Sequence, residues 1–441
     1  MTNFFATRQL RQFARADEGQ AIVLTAFALV VLMLMAGLGI DVGFLRYQKQ
    51  QMQKAADAGA ITGAAGLEYG QNFANAVYAD TAANGFANGV DGVTVTVNHP
   101  PMTMGDPFYL NNDYVEVIVA QPQRTFFMLV GGFYAVNVRA RAVAAATASA
   151  SGCIYVLDPT DQFAYQAESG ANVNATCGIY INSRSQQAFE VEPGACTRAP
   201  IIGIVGSFSE DACGTTPTTG ITAFSDPLIG LSAPPVAHQC PYTPTNYSGC
   251  TYQPPGPLQC NGGTVGPDVY CGGIVVSAGT VTFGPGNVIL KGGGLTVNPG
   301  ANLVSARGGV TFFNTANFDN SPAYAPIAIN NAGSATALTA PTTGLLQGIL
   351  FFQDRNLVNI VGQGQLEGET NTITGATGAS FEGAFYFPNS PLTYSGGVTQ
   401  TPYTEIVSWK LILAHGSSLF HDNYSGLGTG ESPIHTATLV E

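Results

Sequence analysis

Eight cysteines are the first residues in this sequence with a well-defined chemistry, and all of them lie beyond residue 150. They are Cys153, Cys177, Cys196, Cys213, Cys240, Cys250, Cys260 and Cys271. An even number of cysteines on one side of an apolar segment favours disulfides formed in an oxidising compartment. Zinc binding is the competing interpretation, but the chain contains no Cys-x2-Cys pair. All eight are therefore disulfide candidates, and their spacing leaves the pairing open.

Carboxylates and histidines are the second group that could do chemistry. Glycoside hydrolysis needs two carboxyl groups roughly 5–9 Å apart. The candidates are Glu367 and Glu369, which would share one strand face, together with Asp354, Glu382, His415, His421 and Asp422. Scattered charges of this kind are typical of solvated turns. The chain also lacks G-x-S-x-G, G-x-x-x-x-G-K-[ST] and H-E-x-x-H motifs. We expect no catalytic, cofactor-binding or metal-binding residues and no enzyme activity, and we keep a carbohydrate-active enzyme as the alternative.

The charge distribution excludes one large class of partner. The net charge is −13, and residues 151–441 hold six Lys or Arg against eighteen Asp or Glu. Phosphate contacts need clustered Lys and Arg, so we expect no nucleic-acid binding. With 54 Gly, 26 Pro and only 10% charged residues, the composition favours turn-rich β structure.

A seven-residue spacing predicts the architecture of the large C-terminal region. Apolar-x-apolar pairs start at Ile274, Val281, Val288, Leu295, Leu303 and Val310, spaced by seven or eight residues. Three such steps make a repeat of about 21–22 residues, which indicates a right-handed parallel β-helix over residues 151–441. A β-sandwich is the alternative, but sandwiches rarely repeat so regularly. Residues 209–271 interrupt the spacing and are rich in Pro and Cys, so we expect a disulfide-rich loop excursion there.

Residues 21–40 form an uncharged stretch near the N-terminus. About twenty apolar residues suffice to cross a hydrocarbon core of ~30 Å. A cleaved signal usually has a shorter apolar part followed by an A-x-A-like site, which this segment lacks. We therefore predict a transmembrane helix at residues 20–41, with Asp41 marking the point where the span meets water.

The residues after this span contain no proline up to residue 67, and the helix is expected to continue out of the membrane. Leu45, Met52, Ala56, Ala60 and Ala64 form a stripe along it. We expect this stripe to pack on the helix's own domain, and packing against another chain is the alternative.

A second helix is predicted over residues 72–88, and strands over 93–98, 114–122 and 135–144. A long helix on a small antiparallel sheet is a pilin-like α+β arrangement, which we place at residues 42–150.

The N-terminal residues carry a resemblance to a known family. The sequence DEGQAIVLTAFALVVLMLMAGLGIDVGFLRYQKQQMQKAADAGAITGAAG resembles the N-terminal module of TadE/TadG-like proteins of the bacterial tight-adherence (Flp) pilus system. The matching residues are Glu18-Gly19-Gln20, Gly37, Asp41, Gly43, Met52-Gln53 and Ala55-Ala56-Asp57-Ala58. The resemblance implies a membrane-anchored protein of pilus assembly or surface attachment.

Two departures from the family limit what the resemblance implies. Prepilin-like members carry Glu five residues after the processed Gly, whereas Leu24 stands at that position after Gly19. The resemblance therefore implies an uncleaved anchor of the TadG-like type. The D-x-S-x-S metal motif found in many TadG-like proteins is absent, so metal-dependent adhesion is not implied.

These expectations together describe a single-pass protein of the inner membrane. Residues 1–19 are a cytoplasmic tail, and residues 41–441 lie in the periplasm or at the cell surface. The expected partners are the lipid bilayer, through residues 20–41, and other pilus-assembly or secretion proteins. A surface glycan is a further candidate partner, bound by a non-catalytic adhesin as the second alternative function.

Overall fold

The chain folds into two compact units. The computed structural model describes residues 17–68, 73–147, 152–209, 213–224, 226–236, 245–253, 256–317, 324–357, 369–396, 403–414, 418–420, 434 and 436–441. Among the described residues, the first unit contains 17–67, 73–146 and Ala437–Glu441, and the second contains Glu68 and those within Thr147–Thr436. A long apolar helix and a large β-rich region are thus both present.

Two helices begin the first unit. Helix α1 (Asp17–Glu68) runs without interruption for 52 residues, or about 78 Å, because no proline or charged cluster breaks it. Helix α2 (Phe73–Ala83) is shorter than the predicted helix at residues 72–88. It ends early because Gly85 turns the chain with a φ of 92°.

A four-stranded sheet completes the first unit. It is formed by β1 (Thr94–Asn98), β2 (Tyr114–Arg124), β3 (Ala135–Thr147) and the C-terminal strand Thr436–Leu439, in that order. The pairs β1–β2 and β2–β3 are antiparallel. The C-terminal strand corrects the expectation that residues up to 441 all belong to the second unit.

The small-residue stripe of α1 packs on this sheet. Met52, Ala56, Ala60 and Ala64 are fully buried, in one apolar cluster with the β2 residues Val115, Val117 and Val119. A Cβ on Gly63 would lie 2.9 Å from a methyl of Val115, so glycine permits the close approach. Packing of the stripe on its own domain is confirmed.

The second unit consists of short strands. In chain order they are β4 (Gly152–Val156), β5 (Tyr165–Ala167), β6 (Asn172–Asn174), β7 (Gly178–Ile181), β8 (Phe189–Val191), β9 (Cys196–Arg198), β10 (Ile202–Ile204), β11 (Thr218–Thr219), β12 (Thr245–Tyr247), β13 (Cys250–Tyr252), β14 (Leu258–Val265), β15 (Val269–Cys271), β16 (Ile274–Phe283), β17 (Gly286–Lys291), β18 (Leu295–Val297), β19 (Asn302–Ser305), β20 (Val310–Thr315), β21 (Ile327–Ala332), β22 (Ala337–Thr339), β23 (Ile349–Gln353), β24 (Asn371–Gly375), β25 (Ser380–Phe387), β26 (Leu392–Gly396), β27 (Thr404–Ser408), β28 (Leu411–Leu413) and β29 (Ser418–Phe420).

These strands pair in parallel along three ladders. From β18 to β25, a strand of the first ladder is followed in the chain by one of the second and then one of the third. The first ladder aligns Ile274 with Leu295 and Leu295 with Ile327. The third aligns Phe312 with Phe351. All six apolar pairs predicted from the seven-residue spacing begin at buried strand residues.

The order of pairing differs from the order of the chain. The last strands β27, β28 and β29 pair with β4, β5 and β6, so Ile406 lies beside Ile154 and Leu411 beside Tyr165. Residues 152–204 therefore extend the ladders beyond residues 404–420. At the opposite end, β12 pairs antiparallel with β13, and β13 pairs antiparallel with β14. Residues 205–257 must carry the chain from one end of the ladders to the other.

Part of this connection crosses an apolar row on the third ladder. The row, here called the outer row, comprises Val269, Ile289, Phe313, Phe352, Tyr386, Val407, Tyr155 and Tyr180, each aligned with the next by strand pairing. Residues 221–224 and 226–236, here called the strap, place Phe224, Leu228, Leu231 and Val236 in the same cluster. The expected excursion at 209–271 is thus corrected: the strap covers a sheet, and residues 258–271 already belong to the ladders.

Candidate functional site

Asp41, at the end of the uncharged stretch, is buried rather than facing water. Its side chain accepts hydrogen bonds from the backbone N–H groups of Phe126, Phe127 and Met128, at 2.9, 2.8 and 2.6 Å. The residue is only 1% exposed. Charge-assisted bonds of this kind are among the stronger ones in proteins. The expectation that Asp41 only marks the boundary with water is wrong, because its carboxylate anchors a loop.

The anchored segment connects β2 to β3 and is here called the apolar loop, residues 125–134. It contains a short 3-10 helix at Met128–Gly131, which Gly132 ends with a left-handed φ of 87°. The first N–H groups of a helix have no partner within it, and Asp41 supplies acceptors for the N–H groups of this turn. The sequence did not predict that this turn has its partner 85 residues earlier in the chain.

The apolar loop also packs against one side of α1. A Cβ on Gly37 would lie 2.5 Å from the ring of Phe127, so only glycine leaves room for that ring. Phe44 meets Phe126 edge to face, with ring centroids 5.3 Å apart. Gly37, Asp41 and Phe44 are spaced by four and three residues and therefore share one helix face.

Large apolar side chains surround this contact and are exposed. Along α1 they include Leu24, Phe27, Leu32 and Met35, each more than 60% exposed. On the apolar loop they are Phe126, Phe127, Leu129, Val130, Phe133 and Tyr134, with Val130 and Tyr134 74% exposed. Contiguous exposed apolar surface of this kind marks a site of interaction with lipid or another molecule.

An ion cluster ties the sheet of the first unit together. The guanidinium of Arg141 contacts the carboxylates of Glu116, Asp106 and Glu441. Glu116 is fully buried and also accepts bonds from Thr103, from the Asn98 side chain and from the Met102 N–H.

Burial alone raises the pKa of Glu116, but the bonds from Thr103, Asn98, Met102 and Arg141 outweigh it and lower the pKa to about 2. The single guanidinium of Arg141 is shared by three carboxylates and links β2, β3 and the C-terminal end of the first unit.

Three disulfides have both of their cysteines within the described residues. They join Cys153 to Cys177, Cys196 to Cys213 and Cys250 to Cys260, with Cα atoms 5.7, 5.3 and 4.1 Å apart. Cys271 is also disulfide-bonded, and Cys240 lies outside the described residues. The pair Cys250–Cys260 joins neighbouring strands β13 and β14 at one end of the ladders, and Cys196–Cys213 lies toward the other.

The predicted carboxylate candidates are not brought together where the structure describes them. Asp354 is buried after β23 on the third ladder and accepts a bond from Thr315. Glu382 lies on β25 in the second ladder, paired with Thr339. Glu369 lies just before β24. Glu367, His415, His421 and Asp422 lie outside the described residues.

A cavity of about 330 Å³ adjoins the strap in the second unit, lined by Asp226, Arg355, Trp409, Asn182, Phe224 and others. Its charged groups are engaged in holding the strap. Arg355 donates to the carbonyls of Leu228, Ile229 and Leu231, and Tyr386 donates to Asp226. Burial raises the pKa of Asp226, and the bond from Tyr386 offsets part of that. These groups hold the strap in position.

Comparison with known families agrees with the N-terminal geometry. Residues 19–66 match the Tad family, described as "Putative Flp pilus-assembly TadE/G-like". The match includes the exposed apolar stretch, Gly37, Asp41 and the packed stripe through Ala64, and it confirms the predicted Tad module. No curated protein and no solved structure matches the chain.

Proposed function

We propose that this protein is a TadG-like, single-pass inner-membrane protein that takes part in Flp (tight-adherence) pilus assembly or surface attachment. The observation that carries the proposal is the Tad match at residues 19–66. Residues 1–19 form the cytoplasmic tail, residues 20–41 cross the bilayer, and the rest of the first unit and the second unit lie in the periplasm or at the cell surface.

Two properties of the chain support this topology. One helix is long and apolar enough to cross a membrane, and the side chains of its first half are largely exposed. A soluble protein would bury such a surface. The disulfides all lie after the span, and disulfides persist in oxidising compartments outside the cytoplasm.

We further propose that the second unit is a right-handed parallel β-helix. The support is the three parallel ladders, the regular succession of strands through them and the aromatic column inside. In that column the rings of Phe283, Phe312 and Phe351 lie 4.9 and 5.5 Å apart. Parallel connections within one sheet are right-handed in about 98% of cases.

The proposed role is that of a structural or interaction protein without catalysis. Long stacks of short strands present an extended surface to a partner. The charged groups of the cavity near the strap serve the fold, as their hydrogen bonds indicate. Binding of a surface glycan stays a prediction.

The test is co-purification of the affinity-tagged, full-length protein from detergent-solubilised membranes of its native cell. Flp pilus components should be enriched over an unrelated single-pass protein carrying the same tag. Equal recovery from both would contradict the proposal. Tyr47→Glu alters an exposed residue within the Tad match, and Met104→Glu alters an exposed residue outside it. We expect only Tyr47→Glu to reduce the enrichment.

A further inference from the structure

The apolar loop combines high exposure with an uncharged sequence. No charged residue occurs between Arg124 and Arg139. Within this stretch six large apolar side chains of the loop are 43–74% exposed. Such a patch is unfavourable in water, because burying apolar surface is worth roughly 25 cal/mol per Å². The loop is therefore built for an apolar environment.

The contacts of the loop fix its depth relative to the span. Asp41 holds the loop backbone, and Phe127 lies against Gly37, one turn closer to the middle of the apolar stretch. Four residues of helix correspond to about 6 Å along the axis. Amphipathic elements at a membrane surface bury their apolar face to a depth of roughly 5–10 Å, which agrees with this geometry.

The connection between β1 and β2 lies at the end of the sheet opposite to the apolar loop. Gly63 lies against Val115, near the start of β2, whereas Asp41 meets the residues after its end. The connection between β1 and β2 includes Met104, and its Thr103 bonds to Glu116, eight residue steps of β2 from the apolar loop. At ~3.3 Å per residue this is about 26 Å. The first unit has one end beside the span and one end well removed from it.

We propose that the apolar loop inserts into the outer layer of the same bilayer that the span crosses. This inference rests on the proposed membrane anchoring. The occupant of the surface is lipid because the loop is continuous with the lipid-facing surface of α1 and contacts it at Gly37 and Phe44. A loop without charge needs no anionic headgroup, so a zwitterionic bilayer suffices. The second lipid contact sets the rotation of the helix and holds the first unit at the membrane surface.

Tryptophan fluorescence in vesicles tests this proposal on the full-length protein. Trp409 is the only tryptophan, and Trp409→Phe provides a silent background. Single tryptophans are then introduced by Val130→Trp in the loop, Leu29→Trp in the span and Met104→Trp at the far end of β2. All three sites are exposed and accommodate the larger ring. The variants are reconstituted in phosphatidylcholine vesicles with brominated acyl chains.

The expected result is that Val130→Trp and Leu29→Trp show blue-shifted emission and lose most of it to bromine, whereas Met104→Trp does neither. Quenching at Leu29→Trp without quenching at Val130→Trp overturns the loop insertion and leaves the anchor intact. It would mean that the loop binds something other than lipid. Absence of quenching at Leu29→Trp overturns the anchoring itself. Equal quenching at Met104→Trp and Val130→Trp overturns the inference by showing unspecific adsorption.

Discussion

The outer row of the second unit and the apolar loop of the first are both built from Phe, Leu, Val and Tyr, but only the outer row is covered by its own chain. Phe313, Phe352 and Tyr386 are fully buried, and Leu228 of the strap packs in the same cluster. On the apolar loop Val130 and Tyr134 remain 74% exposed.

The difference teaches how to interpret apolar surface in this protein. Where the strap passes along a sheet, its apolar side chains cover the outward apolar face of that sheet. The apolar loop lies beside the part of α1 whose own apolar side chains are exposed. No segment of the described chain covers this loop. The first surface stabilises the fold, and the second is available to a partner.

The largest effect is expected from a substitution in the outer row, which the strap covers. Phe352→Ala leaves a cavity under the strap and should lower the free energy of unfolding by about 3–5 kcal/mol. The matched change Phe133→Ala, at a 61% exposed position of the apolar loop, should stay within about 0.5 kcal/mol. Amide exchange resolved by peptide, followed in rising denaturant on the detergent-solubilised protein, reports each unit separately and measures both. Equal losses would refute the contrast.

A second prediction uses the disulfides, which stabilise the second unit and not the first. Cys153→Ser with Cys177→Ser removes a disulfide with a sequence separation of 24, and should destabilise the second unit by about 2–4 kcal/mol. The first unit contains no cysteine in its described residues and should be unaffected by reductant. Amide exchange resolved by peptide distinguishes the units, and faster exchange throughout β1–β3 after reduction would contradict this.

The anchor of the apolar loop gives a smaller, local effect. Asp41→Ala leaves the N–H groups of Phe126, Phe127 and Met128 without their acceptor, at a cost of about 1–3 kcal/mol. Amide exchange of these three residues should accelerate, while the core of β2 stays protected. Asp113→Ala, at an exposed carboxylate of the same unit, is the control and should change nothing. Unchanged exchange at residues 126–128 would refute the anchoring role.

The smallest effect concerns pH. The pKa of Glu116 is about 2 in the folded state and 4.5 as its ordinary value. The carboxylate therefore stabilises the first unit above pH 4.5, and this contribution is lost as the pH falls from 4.5 towards 2. The shift corresponds to at most about 3 kcal/mol, and screening at the exposed side of the cluster reduces it to about 1–2 kcal/mol.

Glu116→Gln should remove that part of the pH dependence. Unfolding curves of the first unit at pH 7 and pH 3 provide the measurement. A variant that loses as much stability in acid as the original protein would show that other groups are responsible.

Local patterns in the sequence predicted the elements that depend on local physics. The uncharged stretch predicted α1, alternation predicted β1 to β3, and the spacing from Ile274 to Val310 predicted the strands of the ladders. The stripe through Ala56, Ala60 and Ala64 predicted which face of α1 packs. In each case the period of the side chains is set by the backbone itself.

Contacts between distant residues could not be predicted in this way. Nothing in the sequence near Ile154 shows that it lies beside Ile406, and Asp41 gives no sign of a partner at residues 126–128. The strap could not be predicted from the Pro-rich connection, because Phe224, Leu228 and Leu231 follow no regular period. The sequence did contain one indication that both faces of these strands are covered. The FF, LFF and AFYF runs in β20, β23 and β25 are typical of strands buried on both faces.

The topology of the chain is tested most directly by external protease on spheroplasts, combined with alkaline extraction of the membranes. The account predicts that the full-length protein stays in the membrane pellet and that protease degrades the second unit and the part of the first unit after the span, leaving only a small N-terminal fragment. Release of the protein by alkali, or full protection of the second unit in intact spheroplasts, would contradict it.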